Sequence, residues 1–216
     1  MSSPELLSLF HLLVEASATL AFALSGLLAA ARKQLDAVGV CLVAGLTAFG
    51  GGTLRDVLLD RRPFLWVTHA EWLWVLLALC IVAMAFMRGR HFALTEKAIQ
   101  WPDAIGVGLF GASGTQLALQ QEMPGIVAIL MGVVTATFGG VLRDIVCNEI
   151  PTALRDHRPY AICAFAGGAV LVVAQYGGLP PGWSLLLGAA VATSLRVGAL
   201  VTGFTLPRWS AGGEDA

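Results

Sequence analysis

The sequence predicts an all-α membrane protein in which seven transmembrane helices form an inverted 3+3 repeat plus one additional helix. Three observations carry that reading: apolar runs long enough to cross a bilayer, a match of the chain to itself at a shift of 88 residues, and a glycine and Arg-Asp motif that occurs twice. Hydrophobic residues make up 57% of the 216 residues and charged residues only 12%, against roughly 25% charged in an average soluble domain. The mean hydropathy is +0.78. A net charge of −1 gives no basic surface for a nucleic-acid partner, so none is expected.

A hydrocarbon core about 30 Å thick takes about 20 apolar residues in a helix. Runs of about that length fall at 6–31, 37–59, 71–87, 103–120, 124–147, 160–176 and 182–202. Lipid cannot solvate bare backbone, and strand alternation is absent, so each run reads as a helix. The first is longer than a crossing needs and should tilt or begin in the interface. It has Glu5 and no basic stretch ahead of it, so it is expected to be retained rather than cleaved. Arg32 to Asp36 separate it from the second helix, which ends at Asp60-Arg61-Arg62-Pro63. The third ends at Arg88-Gly89-Arg90-His91. The fourth starts just after Pro102 and stops at Gln121 to Pro124, where the fifth begins. Arg155 to Pro159 precede the sixth, and a Gly/Pro-rich break at 177–182 precedes the seventh. The tryptophans cluster near these ends, as interfacial belts do. The chain is thus one transmembrane domain over 1–203, with repeat one at about 8–88, repeat two at about 96–176, helix seven at about 182–202 and a short cytoplasmic tail at 204–216.

One side of the membrane collects Arg32, Lys33, Arg88, Arg90, Lys97, Arg155, Arg158 and Arg208, while the other has only Arg61 and Arg62. Positive residues favour the cytoplasm, which puts the N-terminus outside and the C-terminus inside. The four cysteines lie in apolar segments without metal-ligand spacing and read as small buried hydrophobes. No cofactor is expected, and any metal would be a transient monovalent cation.

At the shift of 88, Phe22, Ser25 and Gly26 fall on Phe110, Ser113 and Gly114, and Thr47, Gly51 and Gly52 fall on Thr135, Gly139 and Gly140. Leu54-Arg55-Asp56 falls on Leu142-Arg143-Asp144, and residues 22–63 give 13 identities in 42 positions without a gap. Glu15 meets Asp103. The shift carries helices 1, 2 and 3 onto 4, 5 and 6. An odd number of crossings per repeat makes the second copy enter from the opposite side, about a pseudo-two-fold axis in the membrane plane.

Gly50, Gly51 and Gly52, with Gly139 and Gly140 in the second copy, free the backbone to bend or unwind and expose carbonyls to a cation. Close helix packing is the alternative. Arg55 with Asp56 and Arg143 with Asp144 are expected to pair across helices at the two ends of a polar conduit, unless the arginines only reach for the headgroups. Ser25 and Ser113, on stripes that also hold Glu15 and Asp103, are candidate linings. Asp103, directly after Pro102, reads best as a helix cap. Thr47 and Thr135 either line the path or bond back to their own helices. Arg196, inside helix seven, is a candidate counter-charge for Asp56, Asp144 or Glu15, or an anchor at the cytoplasmic end. P-loop, metalloprotease and serine-nucleophile motifs are absent, so an enzyme is not expected.

The doubled motif, Phe49 to Asp56 and Phe138 to Asp144, in two three-helix repeats followed by one further helix, resembles a prokaryotic member of the trimeric intracellular cation channel family. The resemblance covers about residues 8–203 and extends to small bacterial membrane proteins associated with glycine transport. It implies a homotrimer in lipid with one pore per protomer, walled by glycine-kinked helices 2 and 5 and passing monovalent cations, chiefly potassium. It also implies the bacterial plasma membrane. Eukaryotic relatives carry Lys-Glu-Val where this chain has Arg55-Asp56-Val57. A secondary transporter of a small amino acid such as glycine, or a scaffold packed through glycine, remains an alternative.

Overall fold

The computed structural model describes residues 3–87, 96–155 and 158–207. These residues form α1 (Ser3–Arg32), α2 (Ala37–Leu58), α3 (Leu65–Thr68), α4 (Glu71–Met87), α5 (Glu96–Gln120), α6 (Gly125–Val146), α7 (Thr152–Arg155), α8 (Ala161–Tyr176) and α9 (Pro181–Thr202). Apart from α3 and α7, which are single turns, the helices match the runs read from the sequence. Of the basic residues used for orientation, Arg88, Arg90 and Arg208 lie outside the described residues.

One boundary moves. The fourth predicted helix starts at Glu96 and not at 103, with Pro102 inside it. A proline removes one amide from the helix ladder, which other donors can make good. Here the Ser25 hydroxyl donates to the Ile99 carbonyl at 3.2 Å, beside the proline's missing bond. Asp103 is therefore internal to α5, not its cap.

Elsewhere the turns repeat themselves. Asp36 opens α2 by accepting from the Gly39 amide at 2.8 Å, a short polar side chain satisfying a first-turn donor. The four described non-glycine residues with positive φ form two pairs at the shift of 88: Gln34 (54°) with Glu122 (59°), and Asp60 (49°) with Asn148 (55°).

At the centre, α5 packs against α1, α6, α8 and α9. Asp103, Ser113, Thr115 and Gln116 on α5 are all buried, and that polarity explains why α5 falls below the hydropathy of a free-standing span. Four helices are long and apolar enough to cross a membrane (Leu9–Arg32, Ala37–Leu58, Gly125–Val146, Pro181–Thr202), and α4 and α8 are shorter apolar helices. At the edge, α4 leans mainly on α2 and leaves Trp74 and Phe86 each 74% exposed, a surface suited to lipid. Its counterpart α8 is covered by α9, where Gly167 and Gly188 lie against each other's carbonyls.

The two halves meet where α2 crosses α6. A Cβ on Gly51 would collide with the Thr135 carbonyl oxygen, and one on Gly139 with the Thr47 carbonyl oxygen. Phe22 and Phe110, equivalent at the shift of 88, pack beside this crossing with ring centroids 5.3 Å apart and planes tilted by 35°. Helices can approach this closely only where the side chain is absent. Both α2 and α6 stay helical through their glycines. The expectation of unwound carbonyls is corrected: in this structure the backbone polar groups stay in the helix, and the missing side chains are used for approach.

Candidate functional site

The two motif arginines are the foci of two buried polar nodes. In the first, Arg55 donates from Nη1 to Glu15 Oε1 at 2.6 Å and from Nε to Asp56 Oδ1 at 2.9 Å. The Ser113 hydroxyl, from the other repeat, donates to the same Glu15 oxygen at 3.0 Å. In the second, Arg143 donates from Nη1 to Asp103 Oδ1 at 2.6 Å and from Nε to Asp144 Oδ1 at 2.8 Å. Nη1 of Arg143 also donates to the Ser25 hydroxyl, again from the other repeat, at 2.5 Å. The arginine side chains are only 1% and 4% exposed, so they do not reach for headgroups.

The partner across helices differs from the expected one. Neither Asp of the doubled motif pairs with the opposite arginine; each turns back to its own neighbour, and the interhelical partners are Glu15 and Asp103. Both lie 40 residues ahead of their arginine. That equal spacing, together with the match of Glu15 to Asp103 at the shift of 88, is the signal that could have identified the pairs. The earlier assignment of Asp103 as a cap fails because α5 extends past it and Arg143 claims its carboxylate.

Glu15 and Ser25 are ten residues apart on α1, as Asp103 and Ser113 are on α5, which puts the nodes about 15 Å apart at 1.5 Å per residue. From these bonds α1 runs from the first node to the second, while α5 runs from the second to the first.

Other candidates fall outside the nodes. Thr47 and Thr135 bond back to Val43 and Met131 carbonyls at 2.6 Å each and pack against Gly26 and Gly114. They belong to the helix seam, not to a lining. Arg196 meets none of Asp56, Asp144 and Glu15 and is no surface anchor: it is fully buried, donates to the Pro159 carbonyl at 3.0 Å, and lies over the Tyr160 ring with Cζ 4.6 Å from the centroid. Gly50 abuts Leu142 of the facing helix, Gly52 leaves room beside it, and Gly140 faces Tyr160 and Asp103.

Around the nodes the symmetry ends. A cavity of about 360 Å3 opens at the first node, lined by Glu15, Arg55, Asp56, Asp60, Arg61, Arg62 and His69 among others. A separate small pocket of about 10 Å3 lies beside Thr19, Gly52, Arg55 and Phe110, on the scale of one water. Arg61 approaches Asp56 at 3.5 Å from a side chain 40% exposed. At the second node, Thr152 seals Asp144: its amide and hydroxyl donate to Oδ2 at 2.7 and 2.9 Å. Phe64 stands at the position equivalent to Thr152 in the first repeat, and among the described residues Asp56 has no such seal.

A bundle of apolar helices around a buried, doubled ion-pair network defines an integral membrane protein with a polar interior. Comparison places it in a family. A family model described as "Glycine transporter" matches residues 12–88 and again residues 100–176. A UPF0126 membrane protein of Vibrio cholerae is 35% identical over 92% of this chain and 82% of its own length. The UPF0126 inner membrane protein YadS of Escherichia coli is 32% identical over 89% and 92%. Among solved structures, a TRIC trimeric intracellular cation channel orthologue from Rhodobacter sphaeroides superposes with a TM-score of 0.82 at 35% identity, covering 90% of this chain and 98% of that one. A prokaryotic TRIC channel crystallised in 0.5 M KCl gives 0.84 at 26% identity over 92% and 100%. The chain belongs to this family of prokaryotic TRIC-type membrane proteins.

Proposed function

We propose that the protein is a potassium-type monovalent cation channel, with one path per protomer running along the crossing of α2 and α6. The observation that carries this reading is the charge of the nodes. Each holds two buried carboxylates against one buried guanidinium, so with both carboxylates ionised each buried cluster is one negative charge in excess, which at the first node the partly exposed Arg61, 3.5 Å from Asp56, offsets from the cavity side. A buried excess of that sign attracts cations and repels anions, and in a low-dielectric setting it acts strongly. The names of the solved relatives, which are cation channels, support the same reading.

In this account seven helices cross the membrane, and α1–α4 and α5–α8 form inverted repeats, with the nodes toward opposite faces. The opposite runs of α1 and α5 support that arrangement. The N-terminus lies outside and the C-terminus in the cytoplasm of a bacterial inner membrane, and three copies assemble in lipid, each with its own path. Opening requires α2 and α6 to bend at Gly50 to Gly52 and at Gly139 and Gly140, which enlarges the small pocket beside Phe110. The chemistry is permeation, without catalysis or a cofactor.

A second reading, a carrier of a small amino acid such as glycine, draws on the family description. Proteoliposomes separate the two. The channel reading predicts rubidium uptake that rises linearly with concentration and no saturable uptake of labelled glycine; saturable glycine uptake without rubidium flux would favour the carrier.

A further inference from the structure

Arg196 is the buried guanidinium that the nodes leave out. Arg55 and Arg143 each contact two carboxylates. Arg196, with no exposed surface, has one hydrogen bond, to the Pro159 carbonyl, and the face of Tyr160. Its Nε and Nη2 have no hydrogen-bond partner among the described residues, whereas the Tyr160 hydroxyl turns away toward Gly140 and the Asp103 carboxylate. Guanidinium stays charged in proteins, and burying it without a counter-charge is costly. Nε and Nη2 form one edge of the guanidinium fork, the edge that receives both oxygens of a carboxylate or phosphate.

The guanidinium sits at the start of α8. Pro159 and Tyr160, which hold the guanidinium, immediately precede the helix, and Tyr160 occupies its N-cap position without a capping side chain. A helix N-terminus presents free amides and the positive end of the dipole. In the first repeat the equivalent helix α4 answers this with Glu71 in its first turn, whereas α8 has no acidic residue there; position 159, equivalent to 71, is proline. Two positive features therefore converge where the other repeat supplies a carboxylate.

We infer that the Nε and Nη2 edge of Arg196 and the N-terminus of α8 form a binding site for an oxyanion with two coplanar acceptor oxygens, a carboxylate or a phosphate. The unpartnered atoms are closed off from solvent, so the anion is taken up as the Tyr160 ring moves off the guanidinium. The loop before α8 lies between membrane-spanning helices, so the anion comes from solution or from a lipid headgroup. The site does not depend on which solute the protein passes.

The test is the thermal midpoint of the purified protein in detergent. Sodium phosphate and sodium acetate are titrated against sodium chloride at equal ionic strength, and phosphatidylglycerol is compared with phosphatidylcholine in mixed micelles. The site predicts a rise of about 4 °C at ten times the dissociation constant, lost in Arg196→Gln and in Arg196→Lys. The lysine variant keeps the charge without the fork and covers the case in which the glutamine variant does not fold. A response to phosphate or acetate assigns the free anion; a response to phosphatidylglycerol alone assigns the headgroup. No rise with any probe, or an equal rise in Arg196→Lys, overturns the site.

Discussion

Arg143→Gln destabilises the protein by about 3 to 5 kcal/mol, the cost of stripping the partner from a buried ion pair. The substitution leaves the Asp103 and Asp144 side chains, 3% and 7% exposed, facing each other without a cation. At about 2 to 4 °C per kcal/mol for a chain of this size, the thermal midpoint in detergent falls by about 10 °C. Restoring charge balance by adding Asp103→Asn recovers part of the loss, so the double variant is more stable than Arg143→Gln alone. Arg55→Gln is milder. Its node opens on the cavity, where water solvates the freed carboxylates, and Arg61 already approaches Asp56. Equal losses at the two nodes would contradict the asymmetry that Thr152 and the cavity create.

The second large effect lies at the crossing of α2 and α6. Gly51→Ala drives a methyl group into the Thr135 carbonyl, and Gly139→Ala does the same at the Thr47 carbonyl. Overpacking typically costs about 1 to 3 kcal/mol, and a helical carbonyl cannot rotate away as a side-chain end can. Each variant is expected at about 3 kcal/mol or more, because α2 and α6 must separate. Gly52 is the internal control, one residue along the same helix: a Cβ there comes no nearer than 3.8 Å to another group, Arg55 Nη2. Gly52→Ala is therefore neutral, or stabilising by up to about 1 kcal/mol through helix propensity. Comparison of the three midpoints checks this. A Gly51→Ala protein as stable as Gly52→Ala would mean that the glycines act in bending and not in approach.

These contrasts mark what was legible in the sequence. The self-match at 88 residues pointed to the doubled packing, and the structure answers it with paired turns at Gln34 and Glu122 and paired contacts at Gly51 and Gly139. The importance of Arg55 and Arg143 was legible too, since a charge at membrane depth needs a partner. Their partners were not. Helical periodicity says which residues share a face but not which face meets which at what depth, so Glu15 read only as a member of the Ser25 stripe and Asp103 passed for a cap beside its proline. Ser25 donates to the Ile99 carbonyl near Pro102 from another helix, a contact with no local signature. Thr47 and Thr135 have the composition of a lining but bond to their own helices, a choice that packing against Gly26 and Gly114 decides. Arg196 read as a candidate counter-charge because a charge inside a helix needs a partner; in the structure the Pro159 carbonyl and the face of Tyr160 take that place.

The central claim is that cations pass between the two nodes, and current through single molecules tests it most directly. Purified protein in a planar bilayer is recorded in asymmetric KCl. The account predicts unitary currents whose reversal potential moves toward the potassium equilibrium value, about 59 mV per tenfold gradient for one charge. Absence of unitary current from correctly assembled protein, or a reversal potential that follows chloride, would contradict it.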